Sequence, residues 1–346
     1  MHDSIERLPE GSALLIYTLW GDSIGLFEVT KTGGVRAYRS PCDVYDASRA
    51  ILQLRESVAD ARPSWGDWAR HLYDCLLPNG LQLNRGSPLI VSLPEELFGF
   101  PFEILTSPSQ VEILHDHPVI YARFLSKHGS GDVLHQPPAT HRSRLVVGVD
   151  GPTLSDAEDE ATEVGKLLHV SPLLGSAANE ASVSKAMDGA QIIHLSTHAS
   201  MDSSNPYLSY LALAGNQEIQ AWQIFQHALD ADLVFLSACD TDVESGSSAF
   251  NFSSSGGAVG LAAFFQGTNV GWTVASLWRA DDKSTKRIVS GFYTALDSGE
   301  TNPAIALQNA KLQSAAQPES SHPFYYAPLI ISIKSAIDAG HPVDTR

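Results

Sequence analysis

Two short stretches end in side chains that do chemistry together. Leu233-Val-Phe-Leu-Ser-Ala-Cys-Asp-Thr-Asp242 runs from an apolar core into Cys239. Gln191-Ile-Ile-His-Leu-Ser-Thr-His-Ala199 runs from a similar core into His198. Apolar runs of this length read as buried parallel strands, and open α/β sheets bind their ligands at strand carboxyl ends. The segment between the two tips is long enough for one crossover carrying a helix. If the two strands are neighbours, a thiol and an imidazole share one sheet edge, which is the requirement for a Cys–His nucleophile pair. Each residue by itself has a plainer reading, because an isolated cysteine is usually a small buried hydrophobe. His194 alternates away from that edge and reads as a satisfied core histidine. The coincidence of Cys239 and His198 at two strand ends points to catalysis.

The elements that must hold these tips can be read along the chain. Residues 13–30 have the alternation and central turn of a hairpin, and a third short strand follows at Val35 to Tyr38. Helical spacing covers Asp43 to Ala59 and Trp65 to Leu77. Leu89 to Leu93 is a buried strand between prolines, with further short strands expected at Val111 to Leu114 and Val119 to Phe124. Residues 127–143 are rich in glycine, proline and polar groups and read as a linker between two halves. Beyond it, strands at 144–150, 191–199, 233–239 and 270–277 alternate with helices at 156–169, 221–229, 256–265, 282–296 and 303–315. A last element is expected over 325–333, with a polar tail at 335–346. Such alternation means an α/β fold with a mostly parallel sheet flanked by helices. The first half is expected to pack against the second over a large interface, with no Cys–His pair of its own. The long Ser/Gly-rich segment after Cys239, with Phe250 and Phe252, reads as a loop facing substrate.

Composition narrows the function. The net charge of −17, from 22 basic and 39 acidic residues, speaks against nucleic acid or an anionic membrane as partner. Three cysteines, Cys42, Cys75 and Cys239, read as too few and too scattered for a disulfide framework or a zinc site. A reducing, cytoplasmic location without cofactor or metal is the expectation. Neither a signal peptide nor a membrane span is visible in the sequence.

The motifs also resemble a known family. His194-Leu-Ser-Thr-His-Ala199, Leu208-Ser-Tyr-Leu-Ala-Leu213, Leu233 to Thr241, Gly260-Leu-Ala-Ala-Phe-Phe265, Val274-Ala-Ser-Leu-Trp278, Asp281-Asp282 with Thr285, and His322-Pro-Phe-Tyr-Tyr-Ala327 are similar to CHAT peptidase domains, of the clan of caspases and separase. Leu89-Ile-Val-Ser-Leu-Pro94 and Phe100-Pro-Phe-Glu-Ile-Leu105 resemble the region that precedes them in the family. The resemblance implies a caspase-like catalytic half over 144–334, preceded by a smaller pseudo-protease-like α/β half over 1–126. It implies a regulatory cysteine endopeptidase with Cys239 as nucleophile and His198 as general acid/base. A tetrahedral oxyanion would be received by the backbone N–H groups of Ala199 and Cys239. The implied partners are a protein substrate and a separate regulatory or sensor protein, in a setting of proteolytic signalling such as bacterial defence. An acidic residue at the base of the substrate pocket would select a basic residue before the cut, and Asp281 and Asp282 occupy that region, with Asp240 and Asp242 adding charge nearby. Asp281 or Asp282 equally suits the N-cap of the helix that follows. A catalytically silent interaction module and a thiol acyltransferase or hydrolase are the competing classes.

Overall fold

The structure, a computed structural model, describes residues 8–124, 143–151, 156–202, 204–227, 229–240, 257–278, 281–335 and 342–343. The first strands are β1 (Ala13–Trp20), β2 (Ser23–Thr30) and β3 (Gly34–Asp43), joined as an antiparallel meander. Helices α1 (Val44–Ala59) and α2 (Trp65–Leu76) follow, then β4 (Leu89–Ser92) and β5 (Val119–Phe124), which extend the sheet in parallel from β1. The later residues form β6 (Ser143–Gly148), α3 (Ala157–Leu167), β7 (Leu173–Leu174), α4 (Glu180–Met187), β8 (Ala190–Ser200), β9 (Tyr210–Leu213) and β10 (Gln217–Gln220). They continue through β11 (Leu233–Asp240), α5 (Gly257–Gln266), β12 (Trp272–Ser276), α6 (Asp282–Asp297), α7 (Pro303–Ala315) and β13 (Leu329–Ser335).

All these strands belong to one sheet, in the order β10-β9-β8-β11-β12-β13-β5-β4-β1-β2-β3, with β6 beside β8 and β7 beside β6. The centre is mostly parallel and helices cover both faces. That explains the unbroken apolar runs: where both faces are buried, neither side of the period-two alternation needs polar residues. In β11, Leu233 and Phe235 face one core cluster, while Val234 and Leu236 face another. The first cluster lies under α1, α2, α3, α6 and α7, the second under α4 and α5.

The two halves meet edge to edge. Parallel pairing of β13 with β5 sets Ser332 beside Tyr121 and Ile333 beside Ala122. The larger core cluster includes Leu15, Leu72 and Phe102 before this joint and Phe235, Trp272 and Phe292 after it. A buried ion pair, Lys311 with Glu103, crosses the same joint. Tyr326 donates to Glu112 Oε2 at 2.8 Å, and Gln308 Nε2 donates to the Leu114 carbonyl at 2.7 Å.

Several expectations need correction. Cys42 and Cys75 are joined by a disulfide, with Cα atoms 5.3 Å apart. Their separation of 33 residues hid the fact that β3 and α2 pack side by side, so the cysteine spacing carries no argument about a reducing compartment. The disulfide sulfur of Cys75 also lies 3.7 Å from His71 Nε2, a contact of a different kind from a thiol–imidazole pair. The strand expected at 111–114 is instead a bridge between Thr106 and Glu112 followed by a helical turn, Ile113–Asp116. The helix expected over 221–229 is a single turn, Ala221–Ile224. The linker at 127–143 lies outside the described residues except Ser143, which opens β6. Within the expected polar tail, Val343 is buried and its N–H donates to the Thr301 carbonyl at 3.0 Å. No helix among the described residues is long and apolar enough to cross a membrane.

Candidate active site

Strands β8 and β11 run parallel and adjacent, and their register sets Cys239 directly beside His198. Laterally paired residues of neighbouring strands lie on the same face of a sheet. Position 198 belongs to the alternating series that contains Ile192, and position 239 to the one that contains Leu233, both of which face the cluster under α3 and α6. The thiol-bearing and imidazole-bearing positions therefore share one face, at the carboxyl edge of the sheet. One more residue along, Asp240 pairs with Ala199.

Several neighbours build the imidazole's position. β6 pairs with β8 only as far as Ser196, opposite Gly148, so the tip of β8 outruns it. β9 then takes over as neighbour, pairing at Ala199 and Ser200, and the Thr197 hydroxyl donates to the Ala212 carbonyl at 2.5 Å. The chain leaving β6 crosses directly over the ring of His198. A Cβ at Gly151 would stand 2.2 Å from His198 Nε2 and 2.5 Å from Cδ2, so a side chain at 151 would displace the imidazole from this position. Just before it, Asp150 Oδ1 accepts the Glu158 N–H at 3.0 Å and ties this crossing segment to the first turn of α3. Sequence reasoning missed Gly151; its only signal was Gly151-Pro152 directly after a strand, which reads as a turn.

Two pleat repeats deeper along β8, His194 is fully buried. Its Nδ1 meets the Tyr293 hydroxyl at 3.2 Å and its Nε2 meets Glu160 Oε1 at 3.2 Å. Burial and the Glu160 charge hold the Tyr293 phenol well above its usual range. This polar group joins β8 to α3 and α6 beneath the site. It has the character expected of His194, a satisfied core histidine.

The acidic candidates separate. Asp281 is the N-cap of α6, its Oδ2 accepting from the Ser284 N–H at 3.0 Å and from the Ser284 hydroxyl at 2.9 Å. Asp282 follows in the first turn of the same helix, half-buried. α6 follows the carboxyl end of β12, which runs parallel to β11, so its amino end starts at that same edge. Asp242, Phe250, Phe252 and the remainder of 241–256 lie outside the described residues, and for Asp240 only the backbone position is described. A cavity of about 1000 Å³ opens elsewhere, between α1 and α5 above Tyr121 and Ile330, and His198 does not line it.

A family model for the CHAT domain matches residues 66–334, from α2 to the end of β13. Tetratricopeptide repeat protein 28 of Mus musculus is 30% identical over 175 residues, which is 43% of this chain and 7% of that protein. Tetratricopeptide repeat protein 28 of Homo sapiens is 26% identical over 314 residues, 75% of this chain and 13% of that protein. The chain thus spans only a small fraction of the length of these relatives. Among solved structures, the Arg-specific cysteine proteinase gingipain R (RgpB) aligns with a TM-score of 0.48 and 12% identity, covering 79% of this chain and 67% of that one. The complex of Porphyromonas gingivalis RgpB pro- and mature domains aligns with a TM-score of 0.48 and 11% identity, covering 85% and 76%. Because the family match takes in both site strands and every strand from β4 to β13, this chain belongs to the CHAT domain family.

Proposed function

We propose that the chain is a cysteine endopeptidase, with Cys239 as nucleophile and His198 as general acid/base. The observation that carries this reading is the register pairing of Cys239 with His198 at adjacent parallel strand ends. A free thiol has a pKa of about 8.5 and is mostly protonated near neutrality, so it needs a base within reach. His198 takes the thiol proton as sulfur attacks the peptide carbonyl, and an imidazolium then protonates the leaving amine. The developing oxyanion is received by the backbone N–H groups of Ala199 and Cys239, and water releases the resulting acyl-enzyme. The missing side chain at Gly151 leaves the imidazole its space. Asp282 is the candidate selector of a basic residue before the cut bond, since Asp281 is engaged as a cap.

The relatives favour a second reading. Both are named for tetratricopeptide repeats rather than for a catalytic activity, which supports a CHAT fold serving as a protein-interaction module. Incubating the chain with a mixture of folded proteins and sequencing newly formed amino termini decides between them. New termini that vanish in Cys239→Ala support the peptidase. Retention of a partner by the wild type and Cys239→Ala alike, with no new termini from either, supports the module.

A further inference from the structure

The half of the molecule without the proposed dyad contains a second group of chemically capable side chains. Cys42 is the penultimate residue of β3, Asp46 lies in the first turn of α1, and His71 and Cys75 stand four residues apart on one face of α2. Their ligand atoms all lie within 4.8 Å of one another. We propose that, when Cys42 and Cys75 are reduced, Cys42, Asp46, His71 and Cys75 form a tetrahedral site for a zinc-class divalent cation, which formation of the Cys42–Cys75 disulfide closes.

Geometry carries the argument. His71 Nε2 lies 2.9 Å from Asp46 Oδ2 and 3.7 Å from Cys75 Sγ, and Cys75 Sγ lies 3.9 Å from Asp46 Oδ2. A tetrahedral zinc ion with bonds of about 2.0–2.3 Å sets its donors roughly 3.3–3.8 Å apart. Both distances from the Cys75 sulfur thus stand close to that spacing, and the His71–Asp46 hydrogen bond at 2.9 Å has only a few tenths of an ångström to open. The fourth donor, Cys42, is held against Cys75 by the disulfide, and a Cα separation of 5.3 Å also lets two thiolates converge on one ion after side-chain rotation.

Donor chemistry selects the ion. Two thiolates, one imidazole and one carboxylate suit zinc and disfavour the hard cations calcium and magnesium. Supporting contacts fix the donors: Ser40 Oγ accepts the Cys42 N–H at 3.0 Å and donates to the Cys75 carbonyl at 2.7 Å, stitching the two cysteine backbones together. Trp68 packs edge-on against the His71 ring, with centroids 6.4 Å apart. The imidazole and carboxylate are 41% and 44% exposed above a fully buried Cys75, so an ion reaches the site directly from solvent.

The two states interconvert with balanced chemistry. Binding releases the thiol protons to solvent. Oxidation by hydrogen peroxide removes two electrons from the two thiolates and forms the S–S bond; the O–O bond breaks and, with two protons, yields two waters as the cation departs. β3 is a terminal strand of the sheet, separated from β8 by β11, β12, β13, β5, β4, β1 and β2, so the site is distant from the proposed dyad.

The test uses the full chain carrying Cys239→Ala, which removes the remaining thiol from consideration. The protein is reduced with a phosphine, loaded with zinc or cobalt(II), desalted, and measured for metal content and absorption. One zinc per chain, and a cobalt spectrum with thiolate charge-transfer and intense tetrahedral ligand-field bands, are expected. Cys42→Ser and His71→Ala should each weaken zinc binding at least tenfold, and peroxide should release the ion, with reduction restoring binding. A reduced chain that emerges without zinc, a cobalt spectrum lacking thiolate charge transfer, or equal zinc retention by folded Cys42→Ser and His71→Ala would overturn the proposal. The cobalt spectrum decides the matter even if a variant fails to fold.

Discussion

Gly151 illustrates how a residue with no reactive group governs one that has it. With the His198 ring where a Cβ at 151 would stand, Gly151→Ala forces the imidazole aside, while the flexible ring spares the backbone most of the strain. Cleavage should fall at least tenfold, the cost of a misplaced catalytic group, while the melting temperature shifts by only a few degrees. Kinetics and thermal melting on one preparation check this; unchanged cleavage would mean that the ring is not needed where it lies. Cys239→Ala and His198→Ala should each abolish cleavage without loss of fold, and the double variant should be no worse than either, because nucleophile and base act as a unit. Full cleavage by Cys239→Ala would remove the peptidase reading.

Helix α6 opens with two adjacent carboxylates, Asp281 as its N-cap and Asp282 in its first turn, and the proposed function gives them different tasks. Asp281→Ala removes an N-cap and should cost about 1 kcal/mol of stability, leaving the order of preferred substrates unchanged. Asp282→Ala should instead lower the specificity constant for substrates with Arg or Lys before the cut by about ten- to a hundredfold, since a charge-assisted hydrogen bond is worth about 1.5–3 kcal/mol. Peptide-library profiles of the two variants beside the wild type separate these effects. A wild-type profile dominated by acidic or large apolar residues before the cut would end the basic-pocket idea and leave the dyad untouched.

Across the molecule, the joint between β5 and β13 should make the chain unfold as one unit. Lys311→Ala leaves Glu103 buried without its cation and should destabilise by about 3–5 kcal/mol, whereas replacing both by apolar residues should cost much less. Two resolved transitions in urea would contradict this. Glu112 gives a pH signature: burial above all, with the Glu103 charge adding and the Tyr326 hydrogen bond opposing, pushes its pKa from 4.5 up to about 7. Between these values the folded chain holds a proton that the unfolded chain has lost, so stability falls as the pH rises through this window, by up to ~3 kcal/mol. Glu112→Gln should flatten the dependence and be the more stable protein at pH 8. Equal slopes for wild type and variant in urea titrations at pH 5 and 8 would refute the assignment.

The sequence by itself determined the elements whose signals are local. Continuous apolar runs marked β8 and β11, helical spacing marked α1, α2, α6 and α7, and strand–helix alternation marked the parallel sheet; even the position of Cys239 and His198 at strand tips was legible, because a strand end is a local change in polarity. Short elements such as β7, β9 and β10 were not, since two to four residues carry no periodicity and depend on their neighbours for pairing. Which strands are neighbours is a long-range matter. Only the tertiary structure brought Gly151 over the His198 ring, closed the two halves into one sheet at β5 and β13, and carried Cys42 to Cys75 and His71. Those contacts join residues far apart in sequence, and their free energy comes from packing and pairing that no local pattern encodes.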